Sequence, residues 1–320
     1  VQIPAALADV LDIRVSPGLH PRLATSLHIS GDSTMYLMRI GATGAEKPVA
    51  RIDDDTYVDL SDTVSDFDET FFGSGGVDRI RPLVAERAAT GRVSRFAGER
   101  IGAPIARPHQ ILCIGLNYSD HAAETGQAVP DEPILFTKSP NTLVGPNDDV
   151  RIPRGATKPD WEVELGIVIG RRTSYLDSVD EARGAIAGYL VVNDVSERAF
   201  QMERGGQWAK GKSAETFNPA GPWLATTDEI DDVLDLGMWL DVNGTRRQDG
   251  NTKTMIFDPY FIVHHLSQFL VLEPGDLINT GTPPGVGMGF NPPVWLEPGD
   301  VMELGIHHLG SQRQNVLGPR

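Results

Sequence analysis

Three carboxylates in this chain stand on text that reads as buried strand. Trp161-Glu-Val-Glu-Leu-Gly-Ile-Val-Ile-Gly170 alternates so that Val163, Leu165, Ile167 and Ile169 share one face. Glu162, Glu164, Gly166 and Val168 take the other face. A lone Glu-x-Glu is ordinarily a solvated edge, but this strand is too apolar for one. Two neighbouring carboxylates in such a place repel and lose hydration unless a cation sits between them. Gly188-Tyr-Leu-Val-Val-Asn-Asp194 is a second buried strand, and it ends in the third carboxylate, Asp194. An oxygen-only set without a nearby cysteine suits a hard dication, Mg2+ or Mn2+. Three protein ligands leave about three of six octahedral positions for water or substrate, which is the layout of a catalytic site.

His121 and Glu124 stand at i, i+3 on a short predicted helix that Ser119 or Asp120 caps and Gly126 ends. Their Cβ atoms would lie roughly 5–6 Å apart on one face. A glutamate beside an imidazole fixes its tautomer and raises its basicity, as a general base requires; taken alone, the pair also fits an ordinary surface contact. Polar and cationic groups follow Asp194: Ser196, Arg198 and Gln201, then Gly211-Lys212-Ser213. Lys138, after Pro133-Ile-Leu-Phe136, is a further cation. An acidic protein that binds an anion needs such local positive charge, although each of these residues is by default a surface residue.

One pattern points elsewhere. Gly206-Gln-Trp-Ala-Lys-Gly-Lys-Ser213 satisfies Gly-x4-Gly-Lys-Ser, the phosphate loop of nucleotide-binding proteins. That loop works between a buried strand and a long helix. Arg198 to Gly205 is too polar for the strand, and Pro219 with Gly221-Pro222 forbids the helix. The run Thr280-Gly-Thr-Pro-Pro-Gly-Val-Gly-Met-Gly289 lacks dinucleotide spacing and reads as a turn that approaches a ligand or another strand closely. There is no Gly-x-Ser-x-Gly elbow and no His-Glu-x-x-His, so serine hydrolases and zinc proteases find no support. His264-His265 and His307-His308 lie in apolar patterns and read as structural.

The elements that must position these groups are mostly strands. Tyr36–Ile40, Val49–Ile52 and Tyr57–Leu60 read as a meander punctuated by Gly and Asp. The segment Arg51–Phe72 holds eight acids scattered among apolar residues, a solvated face. Residues 80–108 read as helix, then loop, and a boundary falls near Arg107-Pro108. Ile111–Leu116 is a short buried strand. Asp258-Pro259 opens a helix running to about Leu270. Leu272-Glu-Pro-Gly-Asp276 recurs as Leu296-Glu-Pro-Gly-Asp300, each a turn before an apolar strand. Strands outnumber helices without regular βαβ alternation, which predicts a β-rich α+β fold.

Composition narrows the class. The 320 residues carry 44 acids against 28 lysines and arginines, a formal net charge of −16, which argues against a nucleic-acid partner. Apolar residues make up 40%, enough for a real core. One cysteine, Cys113, excludes a disulfide framework. No apolar run approaches the roughly 20 residues of a membrane helix, so a soluble cytoplasmic protein is expected. The first methionine is Met35; residues 1–34 read as an extension outside the fold argument, native or not.

Taken together, Gly115-Leu-Asn-Tyr-x-x-His121-x-x-Glu124, Glu162-Val-Glu164-Leu, Asn193-Asp-Val-Ser-x-Arg198, Gly211-Lys-Ser213 with Thr216-Phe217, and Thr280-Gly-Thr-Pro-x-Gly-Val-Gly287 resemble the fumarylacetoacetate hydrolase family. The resemblance spans about residues 109–318. It implies a mixed β-sandwich roll over 109–320, a small N-terminal α+β domain over 35–108, and a homodimer that uses Mg2+ or Mn2+. By motif position Glu162, Glu164 and Asp194 would be the metal ligands. His121 with Glu124 would activate water on a mobile lid. Lys212, Arg198 and Gln201 would hold the substrate and its developing charge, and Thr282 would lie at its carboxylate end. Lys138 is counted with the substrate-binding groups. Glu215 stands where the family usually has Asp, a change expected to touch a supporting hydrogen bond near Lys212. The implied reaction is metal-dependent hydrolysis of a carbon–carbon bond in a 2,4-dioxo acid, an acylpyruvate or a 2,4-dioxo-3-deoxy sugar acid, giving pyruvate and a second acid. The same chemistry would support oxaloacetate decarboxylation or isomerisation of an unsaturated dioic acid.

Overall fold

The alternating text around Glu162 and Glu164 becomes the strand Val163–Ile169, inside an eleven-stranded mixed sheet. The computed structural model describes residues 35–120 and 128–320. His121 and Glu124 therefore lie outside the described residues, as does the extension 1–34. The sheet runs Ser94–Arg95, Thr56–Asp59, Lys47–Arg51, Tyr36–Ile40, Leu224–Thr226, Ile186–Asn193, Val163–Ile169, Leu277–Asn279, Ile111–Gly115, Ile134–Lys138. Ile101–Gly102 also pairs with Tyr36–Ile40. Neighbours are antiparallel except Leu277–Asn279 and Ile111–Gly115, which run parallel. Tyr36–Ile40 pairs with Leu224–Thr226, so the N-terminal meander and the later strands share one sheet.

A second sheet runs Thr245–Asn251, Gly237–Val242, Val301–Ile306, Gly310–Leu317, Val150–Arg151. Period 2 sorts the side chains between two cores. Val163, Leu165, Ile167 and Ile169 join Leu240, Met302, Leu304 and Ile306 of the second sheet in one cluster. Val168, Leu190, Val192 and Leu277 look the other way, toward Phe67, Phe71, Phe72, Ile80 and Val84. Two short helices cover that side, Glu69–Gly73 and Gly76–Ala89. The second begins before residue 80 and ends well before 108, because Gly91 supplies a left-handed turn (φ +72°) just past its end.

Two local expectations hold in detail. Asp258 caps the helix Pro259–Ser267, accepting from Tyr260 N (2.9 Å) and Phe261 N (2.8 Å), with Pro at the first helical position. The repeated Leu-Glu-Pro-Gly-Asp text builds the same turn twice. Asp276 accepts from Glu273 N (2.8 Å) and Asp300 from Glu297 N (2.7 Å), ahead of the strands Leu277–Asn279 and Val301–Ile306. Among the described residues no helix is long and apolar enough to cross a membrane.

Candidate metal centre and active site

Strand pairing brings the three carboxylates together. Val163 lies opposite Asn193, and Asp194 N donates to Glu162 O at 2.9 Å. Ligand oxygens of Glu162, Glu164 and Asp194 all lie within 4.8 Å of one another, and all three residues are buried. Their backbones are held by Asn193, whose side-chain oxygen accepts from Glu162 N (3.2 Å), and by Gln248 of the second sheet, which accepts from Val163 N (2.9 Å).

Cations surround two of the three. Lys212 Nζ lies 2.7 Å from Glu162 Oε2 and 3.0 Å from Asp194 Oδ2. Arg198 Nη2 lies 2.6 Å from Glu162 Oε1, while its Nε donates to Asp160 Oδ2 at 2.8 Å. Burial alone would raise the Glu162 carboxyl, but Lys212 and Arg198 against it hold it well below the usual carboxylate range. Burial opposes the Lys212 charge, and Asp194 with Glu162 overcomes it, so this ammonium is more firmly protonated than an ordinary lysine. Glu164 differs. Gly281 N donates to it at 2.8 Å, but it forms no ion pair among the described residues. Burial first, then Asp194 and Glu162, pushes its carboxyl well above the usual range.

The connected cluster therefore holds four carboxylates, Asp160, Glu162, Glu164 and Asp194, against three cations, Arg198, Lys212 and Lys138. With Glu164 ionised one negative charge is unbalanced, and the imbalance falls where three oxygens converge. An all-oxygen donor set with surplus negative charge fits a divalent cation.

Lys138 corrects a sequence expectation. Its Nζ donates to Asp194 Oδ1, to Phe217 O at 2.6 Å and to Val195 O at 3.2 Å. Three acceptors use all three ammonium hydrogens, and the residue is 2% exposed. It stands behind Asp194 and is no part of the cleft lining, so it braces that carboxylate and does not face the cleft. Glu215 is likewise elsewhere: it is paired with Arg320 at 3.1 Å on the surface, so the Asp-to-Glu change leaves Lys212 untouched. Thr282 does line the cleft. Its hydroxyl already donates to Val163 O (2.9 Å) and accepts from Gln248 Nε2 (2.8 Å), so it has no hydrogen left for a carboxylate.

Glu162 and Glu164 face a cleft that is partly open to solvent. Glu162, Glu164, Arg198, Gln201, Lys212 and Thr282 line its polar side. Gln201 Oε1 accepts from Arg198 Nη1 at 3.1 Å. Because a guanidinium only donates, this contact fixes the amide orientation and leaves the Gln201 NH2 as a donor at the cleft. The phosphate-loop pattern takes a different form here. Ala209–Lys212 is one helical turn, and Lys212 is buried against two carboxylates, which leaves it unsuited to a nucleotide phosphate.

Sequence reasoning missed Asp160. It is fully buried and accepts from Gly287 N (2.6 Å), Trp161 N (2.8 Å) and Met288 N (3.1 Å) as well as Arg198. The signal was present: one more step of period 2 backwards from Glu164 and Glu162 reaches it. Gln248 had no such signal, because it arrives from the other sheet. Asn117 joins the glycine-rich run to the strand Ile111–Gly115, donating to Thr280 O (2.8 Å) and Phe257 O (2.9 Å). Gly281 (φ +98°) packs so closely on Asn117 that a Cβ would meet its Cβ at 2.8 Å. Leu116, at the cleft mouth, is held at φ +52°, a conformation costly for a bulky side chain. Beneath the site lies Cys113, fully buried; burial, then Asp194, pushes its thiol well above the ordinary range.

Residues 110–317 match the fumarylacetoacetate (FAA) hydrolase C-terminal family. This chain belongs to the fumarylacetoacetate hydrolase family. A Burkholderia multivorans protein, named as a hydrolase without a substrate, is 50% identical over 290 residues, covering 89% of this chain and 100% of its own. The 2-hydroxyhepta-2,4-diene-1,7-dioate isomerase of Mycobacterium marinum is 32% identical with a TM-score of 0.70, covering 89% of this chain and 99% of that one. Maleylpyruvate hydrolase of Sphingobium sp. SYK-6, solved with manganese(II) and pyruvate, is 26% identical with a TM-score of 0.73, covering 89% and 100%. Within the fumarylacetoacetate hydrolase family, then, the chain shares its strand-rich fold with both hydrolases and isomerases.

Proposed function

We propose that this protein hydrolyses a carbon–carbon bond in a 2,4-dioxo acid of the acylpyruvate type, yielding pyruvate and a second acid, with Mg2+ or Mn2+ at Glu162, Glu164 and Asp194. The observation that carries the reading is the convergence of those three buried carboxylates, with Glu164 left outside the ion pairs that hold the other two among the described residues. A bound dication would supply Lewis-acid stabilisation of the charge that develops as the carbon–carbon bond breaks. It would turn the cluster from one surplus negative charge to one surplus positive charge, which suits a monoanionic substrate.

The chain's own groups divide the remaining work. Lys212, firmly protonated, holds a cation beside the site, where developing negative charge gains most in a dry environment. Gln201 offers its NH2 to a substrate oxygen, and Arg198 keeps it turned that way. His121, on sequence grounds, takes the proton of the attacking water, and Glu124 orients its imidazole. A cytoplasmic homodimer belongs to the same reading by family resemblance.

The test is a substrate panel with and without EDTA, with products identified, over acylpyruvates, oxaloacetate and unsaturated dioic acids. Pyruvate released from an acylpyruvate, lost with EDTA and with His121→Ala, supports the reading. Full turnover after metal removal defeats it. The likeness to an isomerase favours one second reading, double-bond migration in an unsaturated dioic acid on the same metal centre. Isomerisation consumes no water and leaves the carbon skeleton whole, so the identified products separate it from hydrolysis, whereas oxaloacetate decarboxylation needs no activated water and would survive His121→Ala.

A further inference from the structure

We infer that Gln248 is a positioning residue for the metal centre: with the Thr282 hydroxyl it grips the peptide groups of Val163 and so sets how Glu162 and Glu164 stand against each other. This rests on the metal-centre reading above and adds to it a residue from the other sheet. Gln248 belongs to the strand Thr245–Asn251, at the edge of the second sheet. Its neighbours Arg246 and Asp249 are exposed, yet Gln248 itself is fully buried. A buried amide must satisfy two donors and an acceptor. Gln248 Oε1 accepts from Val163 N at 2.9 Å, and its Nε2 donates to Thr282 Oγ1 and to Pro283 O, both at 2.8 Å. The reversed amide would set an NH2 against the Val163 N–H, so the network fixes its orientation.

Those partners stand where a neighbouring strand has run out. On one side the strand Val163–Ile169 pairs with Ile186–Asn193 along its whole length. On the other, Leu277–Asn279 pairs only with Gly166, Ile167 and Val168. Beyond it, Thr280 reaches Leu165 O with both its backbone N (3.1 Å) and its hydroxyl (2.9 Å). One step further, at Val163, side chains replace the ladder altogether. Thr282 Oγ1 donates to Val163 O at 2.9 Å, and Gln248 accepts from Val163 N. Val163 is the residue between the two glutamates. A rotation of its peptide planes would turn Glu162 and Glu164 relative to each other, so the clamp on Val163 fixes the spacing of their carboxylates.

The same amide also holds the glycine-rich run. Gly281 N donates to Glu164 Oε2 at 2.8 Å, and the two residues that follow it, Thr282 and Pro283, are the ones Gln248 Nε2 holds. Gly285 lies so close to the Gln248 strand that a Cβ there would fall 1.9 Å from Arg247 O and 3.1 Å from Gln248 Cα. Gln248 thus reaches the centre by two routes, through the Val163 backbone and through the run that presents Gly281 to Glu164. Ligand sites tolerate little displacement, and groups that orient the ligands from outside carry much of the affinity.

The test reads Mn2+ affinity by calorimetry and metal-free stability by urea denaturation, on the wild type, Gln248→Met, Thr282→Val and the double variant. Gln248→Met keeps the length of the side chain and removes its three hydrogen bonds, and Mn2+ affinity is expected to fall about 10–100-fold. Thr282→Val should lower it in the same sense. The double variant should lose less than the product of the two single losses, because both residues act on one pair of peptide groups. Val84→Ala is the control for loss of stability alone: Val84 is buried under the helix Gly76–Ala89, which lends nothing to the cleft lining. It should lower stability and keep Mn2+ affinity within about twofold of wild type. Wild-type affinity in Gln248→Met overturns the inference, as does an equal loss in Val84→Ala or a double variant whose losses multiply in full. If Gln248→Met does not fold, Thr282→Val decides, and wild-type affinity there overturns the clamp. In all these outcomes the wild type binds Mn2+ and the inference fails alone. If the wild type binds no Mn2+, the metal-centre reading fails and takes the inference with it.

Discussion

Lys138 grips Asp194 from the side away from the cleft, donating to Oδ1 while Lys212 takes Oδ2 at 3.0 Å. Both oxygens of one of the three converging carboxylates are thus held in place by lysines. Burial, with Lys212 nearby, lowers the Lys138 ammonium against the pull of Asp194, yet its three acceptors require all three hydrogens. Lys138→Met should therefore orphan a buried carboxylate oxygen and two carbonyls, at a cost of about 3–5 kcal/mol. Urea denaturation checks this. Unchanged stability with a raised KM would instead return Lys138 to the substrate.

Metal affinity should climb with pH. Glu164 in the folded, metal-free protein keeps its proton where an unfolded glutamate, at about 4.3, has lost it. The folded state then binds more protons than the unfolded one, so metal-free stability falls as pH rises through that window. Glu162 acts in the opposite sense: its lowered value adds stability above the ordinary glutamate range, lost as pH falls below it. A cation binding at Glu164 must displace the proton, so Mn2+ affinity should rise by up to about tenfold per pH unit while that group titrates. Calorimetry across a pH series reads the slope, and Glu164→Gln should abolish both slope and binding.

Much of this centre was legible in the sequence, and the reasons are physical. Period 2 is set by backbone geometry alone, so Glu162 and Glu164 could be assigned to one face from text. The turn before each Leu-Glu-Pro-Gly-Asp strand and the Asp258 cap are equally local. Lys138 was misassigned because its partners, Val195 O and Phe217 O, are set by how distant strands stack. Gln248 was invisible for the same reason, since it crosses from the second sheet to Val163.

Asp160 should prove as sensitive as the three converging carboxylates. It neutralises Arg198 and receives three backbone N–H groups. Asp160→Asn would place an NH2 against donors and leave Arg198 with one carboxylate. A loss of about 3–5 kcal/mol is expected, read by chemical denaturation. Wild-type stability in this variant would show that the network contributes little.

Gln201 offers a cleaner separation of binding from metal. Gln201→Ala removes a donor to an anionic substrate and should cost about 1.5–3 kcal/mol in kcat/KM, roughly 10–100-fold. Mn2+ affinity should stay near wild type, since Gln201 contacts Arg198 and none of the three converging carboxylates. An equal fall in metal affinity would mean that the amide braces the centre instead.

Cys113 gives this architecture a clock. The chain has one thiol, fully buried on the strand Ile111–Gly115 between Leu277–Asn279 and Ile134–Lys138. Reagent can reach it only when that part of the sheet parts, so the labelling rate counts openings of the floor beneath the carboxylates. A bound dication that tightens the centre would slow the clock, and a substrate analogue would slow it further. Every labelled molecule would then record how often the site comes apart, with no engineered probe.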